Sequence, residues 1–346
     1  MVTMSKRLST AIVALAAASL AITAVITPAY ADSSATFGLY GRGDATYDGV
    51  FRQSLAILGL VANDVKPNKA ATTWLLKQQC ADGSFQAYRT DTTKPCAASD
   101  PVNYTGPDTN STALALSALM AVGEVSSAAA AGAWLTKQQN KDGGWPWYLG
   151  ASTDSASTGL VLSALMTQEP NRRVPTYRKA ASYLSRLKIP CGNGGGIAFQ
   201  KGGAVDNLST AQGFFGLVAT LPVKGSSTRP LAANPACGES TKAAAGSYLA
   251  MKITSTGSLP SPMGSDPDYG STGFAILGFV ANSNGRQAVT KGTGTLVANA
   301  LDYAVPEGAA APGPLGLLLL VSEATKNKPT NFGGVNLITT LQQSQQ

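Results

Sequence analysis

Two kinds of apolar segment alternate along the chain. The first kind mixes apolar and polar positions, and its clearest copies are the Trp-Leu-x-x-Gln-Gln elements that begin at Trp74 and Trp134. A glycine turn follows each copy, Asp-Gly-Ser-Phe from Asp82 and Asp-Gly-Gly-Trp from Asp142, so both blocks repeat at an offset of 60 residues. Self-similarity at fixed spacing indicates a repeat architecture. Weaker copies of this element lie around Tyr183, Tyr248, Tyr303 and residues 337–341.

The second kind of segment is apolar at nearly every position and opens with the motif Asp-x-x-Ser-Thr. The four copies of this motif start at Asp108, Asp154, Asp206 and Asp268. Looser counterparts without the motif lie at 54–62 and 315–321. A helix that is apolar all round must be buried all round, whereas the Trp-Leu-x-x-Gln-Gln elements keep Lys and Gln for a solvent-facing side.

The alternation of fully buried and half-buried helices predicts a double ring. We expect an all-α fold, an α/α toroid or α6/α6 barrel, with an apolar inner ring and an amphipathic outer ring. Ala, Gly and Ser in the inner segments allow the helices to approach closely. The six predicted helix pairs span about 50–79, 108–139, 154–188, 206–252, 268–304 and 309–345.

Residues 1–31 have the features of a cleaved signal peptide. Lys6 and Arg7 precede an apolar stretch at 11–26, and Ala29-Tyr30-Ala31 forms a small-x-small cleavage site. A membrane anchor is the alternative. We expect a secreted protein with a single toroid domain at 32–346. The longest later apolar run, 315–321, is far shorter than the roughly 18 to 20 residues that a membrane span needs.

Composition narrows the possible chemistry. The chain contains no histidine, which excludes Ser-His-Asp and Cys-His nucleophile systems and any zinc site that uses histidine. The net charge of +7 falls to +5 without Lys6 and Arg7, and the basic residues are scattered. We therefore expect no nucleic-acid partner, no metal and no cofactor, and a monomer that binds a small-molecule or cell-surface ligand.

Four cysteines in an exported chain predict disulfide bonds. They are Cys80, Cys96, Cys191 and Cys237, and three pairings are possible. We favour Cys80 with Cys96, because these two bracket a single loop. Cys191 with Cys237 then brackets one helical hairpin.

The Gln-Gln blocks followed by Asp-Gly-Ser-Phe or Asp-Gly-Gly-Trp resemble the prenyltransferase and squalene-cyclase repeat. This resemblance covers nearly the whole chain after residue 31 and implies a terpenoid-cyclase-like α/α toroid. The same architecture occurs in squalene-hopene cyclases, in protein prenyltransferase β subunits, and in the toroid domain of transcobalamin and intrinsic factor, to which the chain is also similar. Because one fold hosts unrelated activities, the resemblance implies a fold and leaves the function to the site.

The chain also differs from the squalene-type cyclases at the residues that would carry out their chemistry. The stretch that matches the acid motif of squalene-type cyclases keeps Asp108 but has Asn110 and Ser111 in place of acids. Neither side chain delivers a proton as a strong general acid. A prenyltransferase of this class would use zinc with a histidine ligand, and the chain has no histidine. We therefore assign no catalytic residues.

The predicted ligand site is the rim, the end of the ring where the inner helices begin. Asp108, Asp154, Asp206 and Asp268 are expected to cap these helices and to converge there. The loops that reach the rim carry several aromatic residues, and Trp147 and Tyr148, just beyond the repeat motif, are the predicted ligand contacts. Candidate ligands are a corrinoid, which the transcobalamin resemblance implies, a lipid or isoprenoid, a glycan, or a peptide. The alternative is a toroid-class enzyme, either terpene cyclase-like or prenyltransferase-like, or a carbohydrate-active enzyme that uses the rim aspartates.

Overall fold

In the part of the chain that the structure describes, each predicted helix pair is present as one inner and one outer helix. The computed structural model describes residues 33–170, 174–226, 228–261, 264 and 266–346. The predicted signal peptide at 1–31 lies outside these residues. Asp32–Gln346 make up one compact unit.

The helices are numbered along the chain. The inner helices are α2 (Gly49–Ala62), α4 (Thr109–Ala121), α6 (Ser155–Gln168), α8 (Asn207–Val218), α10 (Tyr269–Ala281) and α13 (Pro312–Thr325). The outer helices are α3 (Lys69–Gln78), α5 (Val125–Lys137), α7 (Pro175–Arg186), α9 (Thr241–Thr256), α11 (Arg286–Ala298) and α14 (Leu337–Gln343). Short elements complete the set: α1 (Ser33–Thr36), α12 (Ala300–Ala304), two 3₁₀ turns at Cys191–Asn193 and Pro306–Gly308, and the antiparallel pair β1 (Leu259–Pro260) and β2 (Pro267–Asp268).

The inner helices form a closed ring. Each of them packs on the next in the order α2, α4, α6, α8, α10 and α13, and α13 packs back on α2. Each outer helix packs on the inner helix that precedes it in the chain. The predicted all-α toroid is therefore confirmed.

Two opposite sides of the ring are packed backbone to backbone. A Cβ atom at Gly159 of α6 would lie 2.2 Å from the carbonyl oxygen of Gln212 on α8. On the other side, a Cβ at Gly316 of α13 would lie 2.4 Å from the carbonyl oxygen of Leu55 on α2. Such distances exclude any side chain, so glycine is required at both contacts. The small residues of the inner segments therefore allow the backbones of neighbouring inner helices to approach closely, as predicted from the sequence.

Side chains fill the middle of the ring. The central turns of the inner helices are buried on every face. Phe214 packs against Phe279 with ring centroids 5.2 Å apart, and Phe215 packs edge-on against Phe274 at 5.3 Å. All four rings are buried. The centre of the toroid is thus a packed hydrophobic core.

A strap formed by residues 219–226 and 228–240, between α8 and α9, crosses the end of the ring where the inner helices finish. The Lys224 ammonium donates to the carbonyl oxygen of Ala62 at the end of α2, at 2.5 Å. Gly225 packs against the last turn of α13. Ala232 exchanges backbone hydrogen bonds with the turn between α10 and α11, donating to Ser283 and accepting from Arg286. The strap therefore packs on the ends of α2 and α13 and on the turn that follows α10.

The first and last described segments meet at a seam in the ring. The Gly38 N–H donates to the carbonyl of Gln346 at 2.8 Å, and the Gln346 N–H donates to the carbonyl of Leu39 at 2.9 Å. Tyr40 and Gln345 form an antiparallel bridge beside these bonds. The last repeat thereby contacts the first through backbone hydrogen bonds.

Two disulfide bonds are formed, Cys80 with Cys96 and Cys191 with Cys237. The first closes the start of the loop at 79–108 that joins α3 to α4, and the second ties the loop after α7 to the strap. Within the described residues, no helix has both the length and the apolarity to cross a membrane.

Candidate functional site

The four motif aspartates cap four inner helices. Each aspartate accepts, through Oδ1, the backbone N–H of the serine three residues later. The donor–acceptor distances are 2.8 Å for Ser111, 2.7 Å for Ser157, 2.7 Å for Ser209 and 2.8 Å for Ser271. A carboxylate at this position satisfies a helix N–H that has no partner within the helix and meets the positive end of the helix dipole.

The threonine of each motif ties the start of the helix to the loop before it. Thr158 donates to the carbonyl of Asp154 at 2.6 Å and accepts the backbone N–H of Trp145 at 3.0 Å. The same pair of bonds is made by Thr112 with Phe85, Thr210 with Ile197, and Thr272 with Leu259. The motif is therefore a structural clamp, and the side chain clamped in the preceding loop is buried in all four copies.

The environments of the four aspartates differ. Asp108 and Asp154 are only 1% and 3% exposed, whereas Asp206 and Asp268 are half-buried. Burial raises the pKa of Asp108 to about 6, although the hydrogen bonds from Ser111 and Trp147 oppose the shift. Burial likewise raises the pKa of Asp154 to about 6 against hydrogen bonds from Ser157 and the Trp147 backbone. Both carboxylates are thus costly to ionise in the folded protein.

The two carboxylate oxygens of Asp108 differ in their hydrogen bonding. Its Oδ1 accepts the Ser111 N–H and, at 3.2 Å, the indole Nε1–H of Trp147. Its Oδ2 is buried and has no hydrogen-bond partner among the described residues. An unpartnered buried carboxylate oxygen is uncommon in folded proteins and identifies this position as a candidate functional group.

Three aromatic side chains form a cluster that contacts Asp108 through Trp147. Trp147 is 5.1 Å from Tyr148 and 5.7 Å from Tyr104, and Tyr104 is 5.8 Å from Tyr148, measured between ring centroids. Tyr148 is buried, while Trp147 and Tyr104 are 43% and 54% exposed. We call the two exposed rings, Tyr104 and Trp147, the aromatic platform. The rings touch one another, so the platform offers a surface and not an enclosed cage.

Two loops hold the aromatic platform in place. The Thr109 hydroxyl donates to the Pro146 carbonyl at 2.7 Å, which fixes the loop that carries Trp147 to the start of α4. The Leu149 N–H donates to the Ser99 hydroxyl at 3.0 Å and joins this loop to the one that carries Tyr104. Tyr104 itself has a positive φ of 54°, a conformation that is costly for a tyrosine.

The structure brings together four of the six predicted ligand residues. Trp147 contacts Asp108 through its indole and Asp154 through its backbone N–H, and Tyr148 packs beside it. Asp206 and Asp268 lie at the starts of α8 and α10, apart from the platform's contacts. Tyr104 was not among the predicted ligand contacts. Its place in the loop that leads into Asp108 is the sequence signal that points to it.

Among the described residues, no group of three or more Cys, Asp and Glu side chains is arranged to hold a metal ion. What the site offers is an aromatic surface, buried carboxyl groups, and polar groups of the adjacent loops.

Comparisons with solved structures find the same fold at low sequence identity. A structure described as a novel alpha-amylase from Clostridium perfringens matches with a TM-score of 0.58 and 11% identity, over 85% of this chain and 93% of that one. ent-Copalyl diphosphate synthase from Streptomyces platensis matches with a TM-score of 0.52 and 15% identity, over 80% of this chain and 50% of the synthase. A protein from Actinoplanes matches with a TM-score of 0.50 and 14% identity, over 84% and 91%.

These likenesses show the toroid fold, which the terpene-forming synthase shares with the other two proteins. No protein-family model matches the sequence. No curated protein matches it either. The similarity to transcobalamin stays a prediction.

Proposed function

We propose that the protein is a secreted, monomeric toroid that binds a carbohydrate at its rim, on the aromatic platform. The observation that carries the proposal is the pair of exposed rings, Tyr104 and Trp147, of which Trp147 donates a hydrogen bond to the buried carboxylate of Asp108. Sugar rings present an apolar C–H face and a polar edge. Exposed Tyr and Trp rings provide apolar area that remains rigid, and their polar groups serve hydrogen bonding at a wet surface.

The filled core disfavours an isoprenoid or a corrinoid inside the ring. Such a ligand needs a deep cavity with mainly apolar walls. In this toroid Phe214, Phe215 and their partners occupy the centre of the ring. A shallow platform at the rim is better suited to a chain of sugar units that lies across it.

A second candidate function is hydrolysis of the bound carbohydrate. It is favoured by the two buried carboxyl groups, Asp108 and Asp154, which both contact Trp147 and both have a pKa raised to about 6. Glycoside hydrolysis uses two carboxyl groups, and a raised pKa lets one of them remain protonated near neutral pH as the general acid. In this reading Asp108 donates the proton and Asp154 acts as base or nucleophile.

The test is calorimetric titration of residues 32–346 with hexasaccharides of glucose, xylose and N-acetylglucosamine. Maltohexaose comes first, because one neighbour of the same fold is described as an alpha-amylase. We expect one-to-one binding of at least one probe, and a loss of at least tenfold in affinity in Trp147→Ala, about 1.4 kcal/mol. Release of reducing ends that is abolished in Asp154→Asn would establish the hydrolase.

Phe37→Ala is the matched control for Trp147→Ala. Phe37 is also an exposed aromatic residue, but it borders a separate depression beside Trp74 and Lys77. Affinity should be unchanged in this variant. If no probe binds, or if Trp147→Ala binds as well as the wild type, the platform is not a carbohydrate site.

A further inference from the structure

We propose that the carbohydrate is acidic, and that a groove next to the aromatic platform holds its anionic groups. This inference rests on the proposed carbohydrate site and adds the class of ligand. The groove has a volume of about 620 Å³ and is lined, among others, by Thr153, Tyr183, Gln200, Asp142, Arg186 and Lys201.

The groove is continuous with the rim. Thr153 directly precedes Asp154, and its carbonyl accepts the Tyr183 hydroxyl at 2.8 Å. The loop that carries Trp147 ends at this threonine. Across the groove, Phe199 is exposed next to Gln200, and its carbonyl accepts the N–H of Ser155 at the start of α6. A chain of sugar units that lies on Trp147 can therefore extend along the start of α6 into the groove.

The charge at the groove is mainly positive. Arg186 and Lys201, which we call the basic flank, are exposed side chains of its lining. Neither takes part in the ion pairs found among the described residues. Asp142 is the acid of the groove lining, and its carboxylate already accepts the Gly144 N–H at 3.2 Å within the turn.

Arg186 is held in an orientation that suits an anion. One guanidinium nitrogen donates to the Ser182 hydroxyl at 3.1 Å, and the other donates to the carbonyl of Asp142. The guanidinium also lies 5.7 Å from the centroid of the Tyr183 ring. A guanidinium carries five N–H donors, so these two bonds leave others for a ligand. Arginine that is already oriented loses less entropy when it binds a carboxylate, sulfate or phosphate.

The aromatic platform and the basic flank thus recognise different parts of the ligand. The aromatic platform binds the sugar ring whatever its charge. The basic flank adds affinity only when the next units carry anionic groups. Because these cations are exposed, their attraction should weaken as salt is added. A neutral glycan would use the platform alone.

The experiment compares neutral and acidic ligands of equal length by calorimetry at low salt. The probes are maltohexaose, hexagalacturonate for carboxylate groups, sulfated maltohexaose for sulfate groups, and phosphorylated maltohexaose for phosphate groups. We expect at least one acidic probe to bind at least tenfold more tightly than maltohexaose, with the advantage reduced in 0.5 M NaCl. The probe that binds most tightly identifies the anionic group.

Arg186→Gln/Lys201→Gln is the decisive variant. It should lose the preference for the acidic probe and keep the affinity for a neutral probe. The control, Lys69→Gln/Lys77→Gln, removes the same charge from exposed residues of α3 and should behave as the wild type. Equal affinity for neutral and acidic probes, or an equal loss in both variants, would overturn the inference. Binding of acidic probes that Trp147→Ala leaves unchanged would instead overturn the proposed carbohydrate site.

Discussion

The α4–α6 side of the rim and the α8–α10 side share one motif and differ in their environment. On both sides an Asp-x-x-Ser-Thr motif caps the inner helix and clamps the loop before it. On the α4–α6 side the aspartates are buried under an aromatic cluster, and their pKa values are raised to about 6. On the α8–α10 side they are half-buried.

The difference comes from the loops. The 30 residues at 79–108 that lead into α4 supply Tyr104, and the loop into α6 supplies Trp147 and Tyr148. Before α10 the corresponding connection is the short β1–β2 pair. The motif therefore fixes the starts of the four inner helices that carry it. The chemistry at each start depends on which side chains the preceding and neighbouring loops place next to the capping aspartate.

The largest effect that would test the shared clamp is on global stability. Trp145 and Ile197 occupy the same position in it, 13 residues before the clamping threonine, and both are fully buried. Trp145→Ala should lower the free energy of unfolding by about 3 to 5 kcal/mol, because a large cavity forms and the indole bond to the Leu135 carbonyl is lost. Ile197→Ala should cost about 2 to 4 kcal/mol. Urea denaturation measures both, and a change below about 1 kcal/mol in either would remove that residue from the core.

The pH dependence of stability should report on the buried aspartates of the α4–α6 side. A carboxyl group whose pKa is raised on folding stabilises the folded state when protonated, and this contribution is lost as the pH rises through the folded pKa. Unfolding of the wild type should therefore cost about 1.4 kcal/mol more at pH 5 than at pH 7.5 for each group with a pKa near 6. Asp108→Asn should reduce this slope. A slope in this variant as steep as that of the wild type would contradict the buried environment of Asp108.

Loss of a cap on the half-buried side should have a moderate effect. Asp206→Ala removes the acceptor for the Ser209 N–H and should cost about 1 to 2 kcal/mol. Asp206→Asn keeps an acceptor at the same place and should restore most of the stability, since Asn caps as well as Asp. Denaturation of the two variants at pH 7 tests the cap. Equal destabilisation would show that the charge of Asp206 matters more than its hydrogen bond.

The smallest expected change in stability belongs to Trp147. Its ring is 43% exposed, so Trp147→Ala should lower the free energy of unfolding by about 1 kcal/mol or less, in contrast to Trp145→Ala. The variant should nevertheless lose carbohydrate binding. Thermal denaturation with near-UV circular dichroism provides the check. A loss above about 3 kcal/mol would place Trp147 in the core and remove its value as a probe of binding.

Features that depend on residues close together in the chain could be predicted from the sequence. The apolar helices, the caps at Asp108, Asp154, Asp206 and Asp268, and the positions of the inner and outer rings follow from spacing and residue type. The toroid is present as predicted. A cap is decided within one turn of helix, so a motif of five residues contains the information it needs.

Other features depend on contacts between distant segments. The course of the strap between α8 and α9 depends on the ends of α2 and α13, more than 80 residues away in the chain. The approach of Tyr104 to Trp147 depends on how two loops pack together. Whether the ring is open depends on the fit of Phe214 against Phe279, which a list of apolar positions does not determine.

The seam between residues 38–41 and 344–346 gives the ring a property that a stack of repeats lacks. An open solenoid has two terminal repeats that need polar caps, whereas here the last repeat hydrogen-bonds to the first. Every repeat therefore has a neighbour on both sides, and the order of the repeats in the gene is one of several that describe the same ring. Circular permutation, with the seam joined by a short linker and new ends in another turn, would rearrange the gene and preserve the rim.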